Sequence, residues 1–299
     1  MNFDNAEGEE EWLMGAIVCA PSRVYEDHPA GRFSLSSAVD FFADVGIPNM
    51  DMSFESLPRL HDSWRSVLYA VAMRARERGV GLPTCHLSFY MPSFKDELLI
   101  ARFSDEQRRC IDAAELMEIP LAVIHPIPMY SKQFSYGDFI RANMAYLSPL
   151  VEYADLRGVK LCVENMASEQ EAPDNHLYGS CALNISELAE KLGCGICFDV
   201  GHANISGFKI SEQMEVLKGK IDVLHVHDNN GIKDKHLLPF EATVDWDDVA
   251  EGIKKSGFDS VLDVEVSAWA ISGDRDIREQ FGGRIVSRAQ RLLAMSDLI

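Results

Sequence analysis

Six successive apolar runs carry a histidine, aspartate or glutamate at or near their C-terminal ends. The run Leu82–Leu87 contains His86, and Leu121–Ile124 is followed by His125. Val159–Val163 leads to Glu164, Ile196–Phe198 to Asp199, the run from Ile221 to His225, and Val261–Val264 to Glu265. Two earlier runs, Leu13–Cys19 and Asn49–Phe54, bring the number of strand signals to eight. Helical patterns fill the intervals, over 34–46, 62–79, 104–118, 136–157, 185–192, 211–219, 246–255 and 274–295. Continuous apolar strands alternating with helices argue for a parallel sheet buried on both faces. Eight such units in 299 residues point to an α/β fold, a single-domain (β/α)8 TIM barrel over 13–299 behind an acidic tail at 1–12. An open doubly wound sheet would place a glycine-rich phosphate loop after the first strand, where this chain has Ala20-Pro-Ser-Arg23.

A barrel gathers its C-terminal strand ends around one mouth, so the six residues are expected to converge. Any one of them alone would be an ordinary hydrogen-bonded rim residue or helix cap, and Asp199 could cap the helix that follows it. Six at consecutive strand ends indicate a site. The stretch 221–236 adds detail. His225 and His227 alternate with Leu224 and Val226 and so share a strand face, and His227 is read as a structural or supporting residue. Asn229-Asn230-Gly231 predicts a turn, after which Asp234-x-His236 reaches the pocket edge. Ser104-Asp-Glu-Gln107 fits a capping box that opens a helix at 104. The polar loop 166–181 is long enough to cover the mouth, and Trp246 and Trp269 are read as packing residues.

Charge narrows the function. The chain has 28 Lys+Arg against 47 Asp+Glu, a net charge of -19. That balance opposes nucleic acid and anionic membranes as partners but not a cation site. No stretch is long and apolar enough to span a bilayer. The acidic N-terminus lacks the basic start of a secretory signal, and the odd number of cysteines, seven, fits buried thiols in a reducing cytosol. A cytoplasmic enzyme is expected, with a homo-oligomer left open. Histidine and carboxylate donors without cysteine suit Mn2+, Co2+, Mg2+, Zn2+ or Fe2+.

Val163-Glu-Asn165, Phe198-Asp-Val-Gly-His202, His225-Val-His-Asp-Asn-Asn-Gly231, Asp234-Lys-His236, Trp246 and Val264-Glu-Val266 together resemble the xylose-isomerase-like TIM-barrel superfamily. The resemblance covers nearly the whole chain. It implies one divalent metal, Mn2+ being the expected ion, held by Glu164, Asp199, His225 and Glu265. It further implies Glu164 and Glu265 as catalytic groups, with His86, His125, His202, Asp234 and His236 lining a sugar pocket. The expected activity is isomerisation or epimerisation of a sugar or sugar phosphate through α-proton abstraction and a metal-stabilised enediolate. In this region ketose 3-epimerases often carry an arginine, and here Lys233 and Lys235 stand instead. Three alternatives stay open. One is a lyase acting on oxo-sugars by the same proton removal. Another is an endonuclease-IV-type zinc enzyme, whose larger ligand set by position would be His86, His125, Glu164, Asp199, His202, His225, Asp234, His236 and Glu265. The last is a barrel that binds metal without catalysis.

Overall fold

The fold comes from a computed structural model that describes residues 16–22, 35–54, 63–88, 97–168, 175–266 and 275–299. The acidic tail, residues 13–15 of the first apolar run and Trp269 lie outside these residues. In chain order the elements are β1 (Ile17–Pro21), α1 (Leu35–Val45), β2 (Met50–Ser53), α2 (Trp64–Arg78), β3 (Thr84–His86) and α3 (Glu97–Met117). Next come β4 (Leu121–Ile124), β5 (Met129–Tyr130), α4 (Tyr136–Asp155), β6 (Lys160–Glu164), β7 (Leu177–Tyr178) and α5 (Ala182–Leu192). The chain closes with β8 (Gly195–Asp199), α6 (Val200–Ile205), α7 (Ile210–Val216), β9 (Ile221–His225), α8 (Trp246–Ser256), β10 (Val261–Asp263) and α9 (Arg275–Met295).

Eight parallel strands close in the order β1-β10-β9-β8-β6-β4-β3-β2. The expected TIM barrel is therefore present as one closed domain. Strand periodicity sorts the side chains into two layers. Outward-facing Phe198, Leu161 and Leu224 join the large apolar layer beneath the helices, together with Phe42 of α1 and Leu68 of α2. Inward-facing Cys19, Val123, Cys162, Cys197, Val223 and Val261 form a second, smaller cluster inside the ring. All seven cysteines are free thiols and five are buried. Burial pushes the Cys110 thiol up to about 12, so it packs as a neutral, small apolar group. Gly79 and Gly193, both at φ 69°, close α2 and α5 in the left-handed conformation that glycine adopts without strain.

The structure departs from the sequence reading in four places. Helix α3 begins at Glu97, seven residues before the expected cap at Ser104. The capping signal is local, and Phe103 just before it is buried and stacked on Tyr146 of α4, with ring centroids 6.0 Å apart. Strand β1 runs later than expected, because its pairing partners in β2 are Met50 for Ala20 and Asp51 for Pro21. The loop 166–181 is not wholly irregular: Leu177–Tyr178 pair antiparallel with Met129–Tyr130 as a two-stranded sheet. A short helix, α6, absent from the expected helical patterns, follows Asp199 directly; Asp199 caps it, as the sequence reading allowed, by accepting from the His202 backbone N–H at 2.5 Å.

The segment after β9 is organised by one carboxylate. Asp228 is fully buried and accepts backbone N–H groups of Asn229, Glu241, Ala242 and Val244, and the Trp246 indole Nε1–H at 3.0 Å. Trp246 is thus a packing residue with a polar tether, as the sequence reading held. Removing the carboxylate strands several buried donors at once. Asp228→Ala is expected to lower unfolding stability by on the order of 3 kcal/mol, measured by urea denaturation. A loss below about 0.5 kcal/mol, the range of ordinary surface substitutions, would contradict this role.

Candidate metal centre and active site

Strands β6, β8 and β9 and the residues just past β10 deliver Glu164, Asp199, His225 and Glu265 to one end of the barrel. One donor atom from each lies within 4.8 Å of the others, and all four residues are buried. The His225 Nδ1 nitrogen stands 3.0 Å from Glu164 Oε1 and 3.1 Å from Glu265 Oε2. Asp199 directs Oδ1 to its capping bond and Oδ2 toward His225 Nδ1, 3.8 Å away. Three buried carboxylates this close lose hydration and repel one another, and they are stable together only with positive charge among them. Three oxygens and one imidazole nitrogen are hard-to-borderline donors, so the set fits a single divalent cation.

Histidines surround this centre. His125 Nε2 lies 2.9 Å and His86 Nε2 3.3 Å from Glu164 Oε2. His86 donates from Nδ1 to the Leu87 carbonyl at 2.8 Å, His202 to the Asn165 carbonyl at 2.8 Å, and His236 to the Glu265 carbonyl at 2.9 Å. Each of these rings is thereby oriented with Nε2 toward a carboxylate. For His202 and His236 the carboxylate is Asp234, with Oδ2 at 3.3 Å and 3.0 Å. Every residue expected from the sequence is therefore brought to the mouth, in two neighbouring groups around Glu164 and Asp234.

Burial alone would raise the Glu164 carboxyl, but His225 and His125 beside it hold it well below the usual carboxylate range. Burial would lower His225 and His202. Their acidic surroundings win, with Cys197, Glu265 and Glu164 acting on His225, and Asp199, Asp234 and Glu164 on His202. Both imidazoles are raised well above the ordinary value. His125 goes the other way, because burial outweighs its bond to Glu164.

Other residues belong to the site without having stood out in the sequence. Asn165 clamps two strand ends, accepting from the Asp199 N–H at 2.6 Å and donating to the Asp199 carbonyl at 3.0 Å. Cys197 has its thiol within the same 4.8 Å range of Glu164 and His225. Asp263 Oδ2 lies 3.9 Å from His225 Nε2. Cys197 and Asp263 sit two residues before Asp199 and Glu265, so strand alternation would have placed them on the interior face.

The family described as xylose isomerase-like TIM barrel matches residues 39–281, and the chain belongs to that family. An uncharacterised protein of Methanocaldococcus jannaschii, MJ1311, is 31% identical over 237 residues, 78% of this chain and 79% of its own length. Among solved structures, a D-tagatose 3-epimerase-like protein superposes with a TM-score of 0.72 at 22% identity, covering 94% of this chain and 98% of the other. The IolI protein with a bound zinc atom superposes with a TM-score of 0.71 at 15% identity, covering 94% and 98%. Among the described residues no helix is long and apolar enough to cross a membrane.

The raised imidazoles set a pH dependence. Without metal, the acids around His225 and His202 favour their protonated forms. Their folding contribution is complete below the ordinary imidazole value of about 6.5 and is lost as pH rises through their raised values. A divalent cation must displace such protons. Co2+ affinity is expected to rise between about pH 6 and pH 8, by up to about tenfold per pH unit for each proton displaced, with calorimetric proton release. An affinity flat over that range would contradict the arrangement.

Proposed function

We propose that the protein is a divalent-metal-dependent isomerase or epimerase acting on a sugar or sugar phosphate by proton abstraction next to a carbonyl. The observation that carries this reading is the four-donor cluster, two of whose members are glutamates. Glu164 comes from β6 and Glu265 from beyond β10, three steps apart around the eight-stranded ring. The similarity to a D-tagatose 3-epimerase-like protein and to a zinc-binding IolI protein supports it.

When bound, a divalent cation supplies Lewis-acid stabilisation to an α-hydroxy carbonyl, and Mn2+ is the ion we favour. The chain's own residues supply the rest. Glu164 and Glu265 approach a substrate from different sides of the mouth. One removes a proton from the carbon beside the carbonyl and the other, already protonated, gives its own proton to the opposite face of that carbon for epimerisation; delivery instead to the former carbonyl carbon, with a proton passing from one enediol oxygen to the other, gives aldose–ketose isomerisation. His225 keeps both carboxylates in place. His202, held by Asn165, and His236, held by the Glu265 carbonyl, present Nε2 atoms beside Asp234, where substrate hydroxyls can bond. His86 and His125 do the same on the Glu164 side. Lys233 and Lys235 are exposed on either side of Asp234 in the sequence and are the candidates to meet a phosphate or carboxylate.

A second reading has its own support. His86, His125 and Glu164 form a further donor group, and His202 and His236 both face Asp234 with Nε2. That pattern suits a three-zinc endonuclease-IV-type enzyme. The net charge of -19 argues against DNA as the substrate.

Chelation is expected to abolish sugar turnover and Mn2+ or Co2+ to restore it. In a panel of ketoses, aldoses and their phosphates incubated in D2O, NMR should show solvent deuterium entering carbon next to the carbonyl. Glu164→Gln and Glu265→Gln at saturating metal should each lower turnover by about 10²–10⁴-fold. Cleavage of abasic DNA, with no exchange in any sugar, would replace this reading with the second one.

A further inference from the structure

His227 is fully buried two residues beyond β9, on the face that carries His225. Its Nδ1 meets no hydrogen-bond partner among the described residues, so the ring proton belongs on Nε2. From there it is donated to Asp199 Oδ2 at 3.2 Å, and Asp234 Oδ1 lies 3.5 Å from the same nitrogen. The ring stacks on His236, centroids 4.2 Å apart and planes inclined by 22°. Gly201, in the first turn of α6, also lies against the ring. A Cβ built on Gly201 would lie only 2.5 Å from Nδ1 of His227 and closer still to its Cε1 and Nε2, far inside van der Waals contact. Alanine is the better helix former, and here it cannot enter while the imidazole keeps its place.

We infer that His227 is a positioning residue that ties the metal seat to the mouth loop, and that the glycine at 201 is there to admit its ring. Through one imidazole, the Asp199 oxygen that faces the metal centre is linked to Asp234 and His236 at the pocket edge. Ordering of one therefore favours ordering of the other. The inference rests on the proposed function only in taking Asp199 as a ligand. Fixing a ligating carboxylate from outside the donor set is worth about 10–100-fold in metal affinity.

The test is Co2+ affinity by chelator competition on the full chain, with folding checked by circular dichroism. Gly201→Ala and His227→Ala should each weaken Co2+ by about 10–100-fold. The double variant should be no weaker than His227→Ala alone, because both changes remove the same contact. His227→Gln, which offers an N–H but is a poor ligand, should recover part of the loss. If Gly201→Ala does not fold, the Ala and Gln variants at 227 carry the same test. Variants that bind as the wild type does, losses that multiply in the double variant, or a Gln variant as weak as Ala would overturn the inference. Amide exchange over 231–237 in the metal-free protein should be on the order of tenfold faster in His227→Ala. A wild-type chain that binds no Co2+ would refute the metal reading, and this exchange would still decide whether His227 holds the loop: unchanged exchange overturns it.

Discussion

Three carboxylates, Glu164, Asp199 and Glu265, are buried within reach of one another at the mouth of a barrel. Left to themselves they would repel across a poorly hydrated space. The surroundings follow from that constraint. Imidazoles line the gap, and three of them, His86, His202 and His225, are raised above their ordinary value by the acids they face. Backbone carbonyls fix the outer nitrogens of His86, His202 and His236, which turns each inner nitrogen toward a carboxylate. An arrangement of this kind suits a cation with several donors better than a salt bridge with one.

The barrel makes the cluster affordable in structural terms. Glu164 and Asp199 sit at the ends of strands whose inward residues below them are the small Cys162 and Cys197, while below Glu265 the inward residue is the buried Asp263. The donor residues gather at the mouth, and the apolar layer under the helices carries the stability of the fold. Beyond β9, Asp228 gathers the following segment while His227 reaches back to Asp199. Adjacent residues thus serve different ends: Asp228 shapes the loop and His227 holds it to the centre.

Much of this was legible in the sequence because strand geometry is strict. A run of strand formers ending in His, Asp or Glu places that residue at a strand end, and barrel closure brings the ends together. His86, His125, Glu164, Asp199, His225 and Glu265 are all found at the mouth on that basis. Other features were illegible for physical reasons. Helix α3 runs on N-terminally past its local capping signal, and Phe103 there packs against Tyr146, a contact 43 residues away in the sequence numbering. The β5–β7 pair needs two segments that are remote in sequence. Gly201 reads as an ordinary small residue until the His227 ring is seen against it. Asn165 stood inside a motif, yet its clamp on Asp199 depends on the register of β6 against β8.

The central claim is that Glu164, Asp199, His225 and Glu265 form the seat of one divalent ion. Anomalous scattering from crystals grown with Mn2+ tests it most directly. The account predicts a single strong peak among the four donors, about 2.0–2.3 Å from the ligand atoms, as expected for nitrogen and oxygen donors on a first-row divalent ion. No peak between these residues, in crystals that hold Mn2+ in solution at saturating concentration, would contradict it.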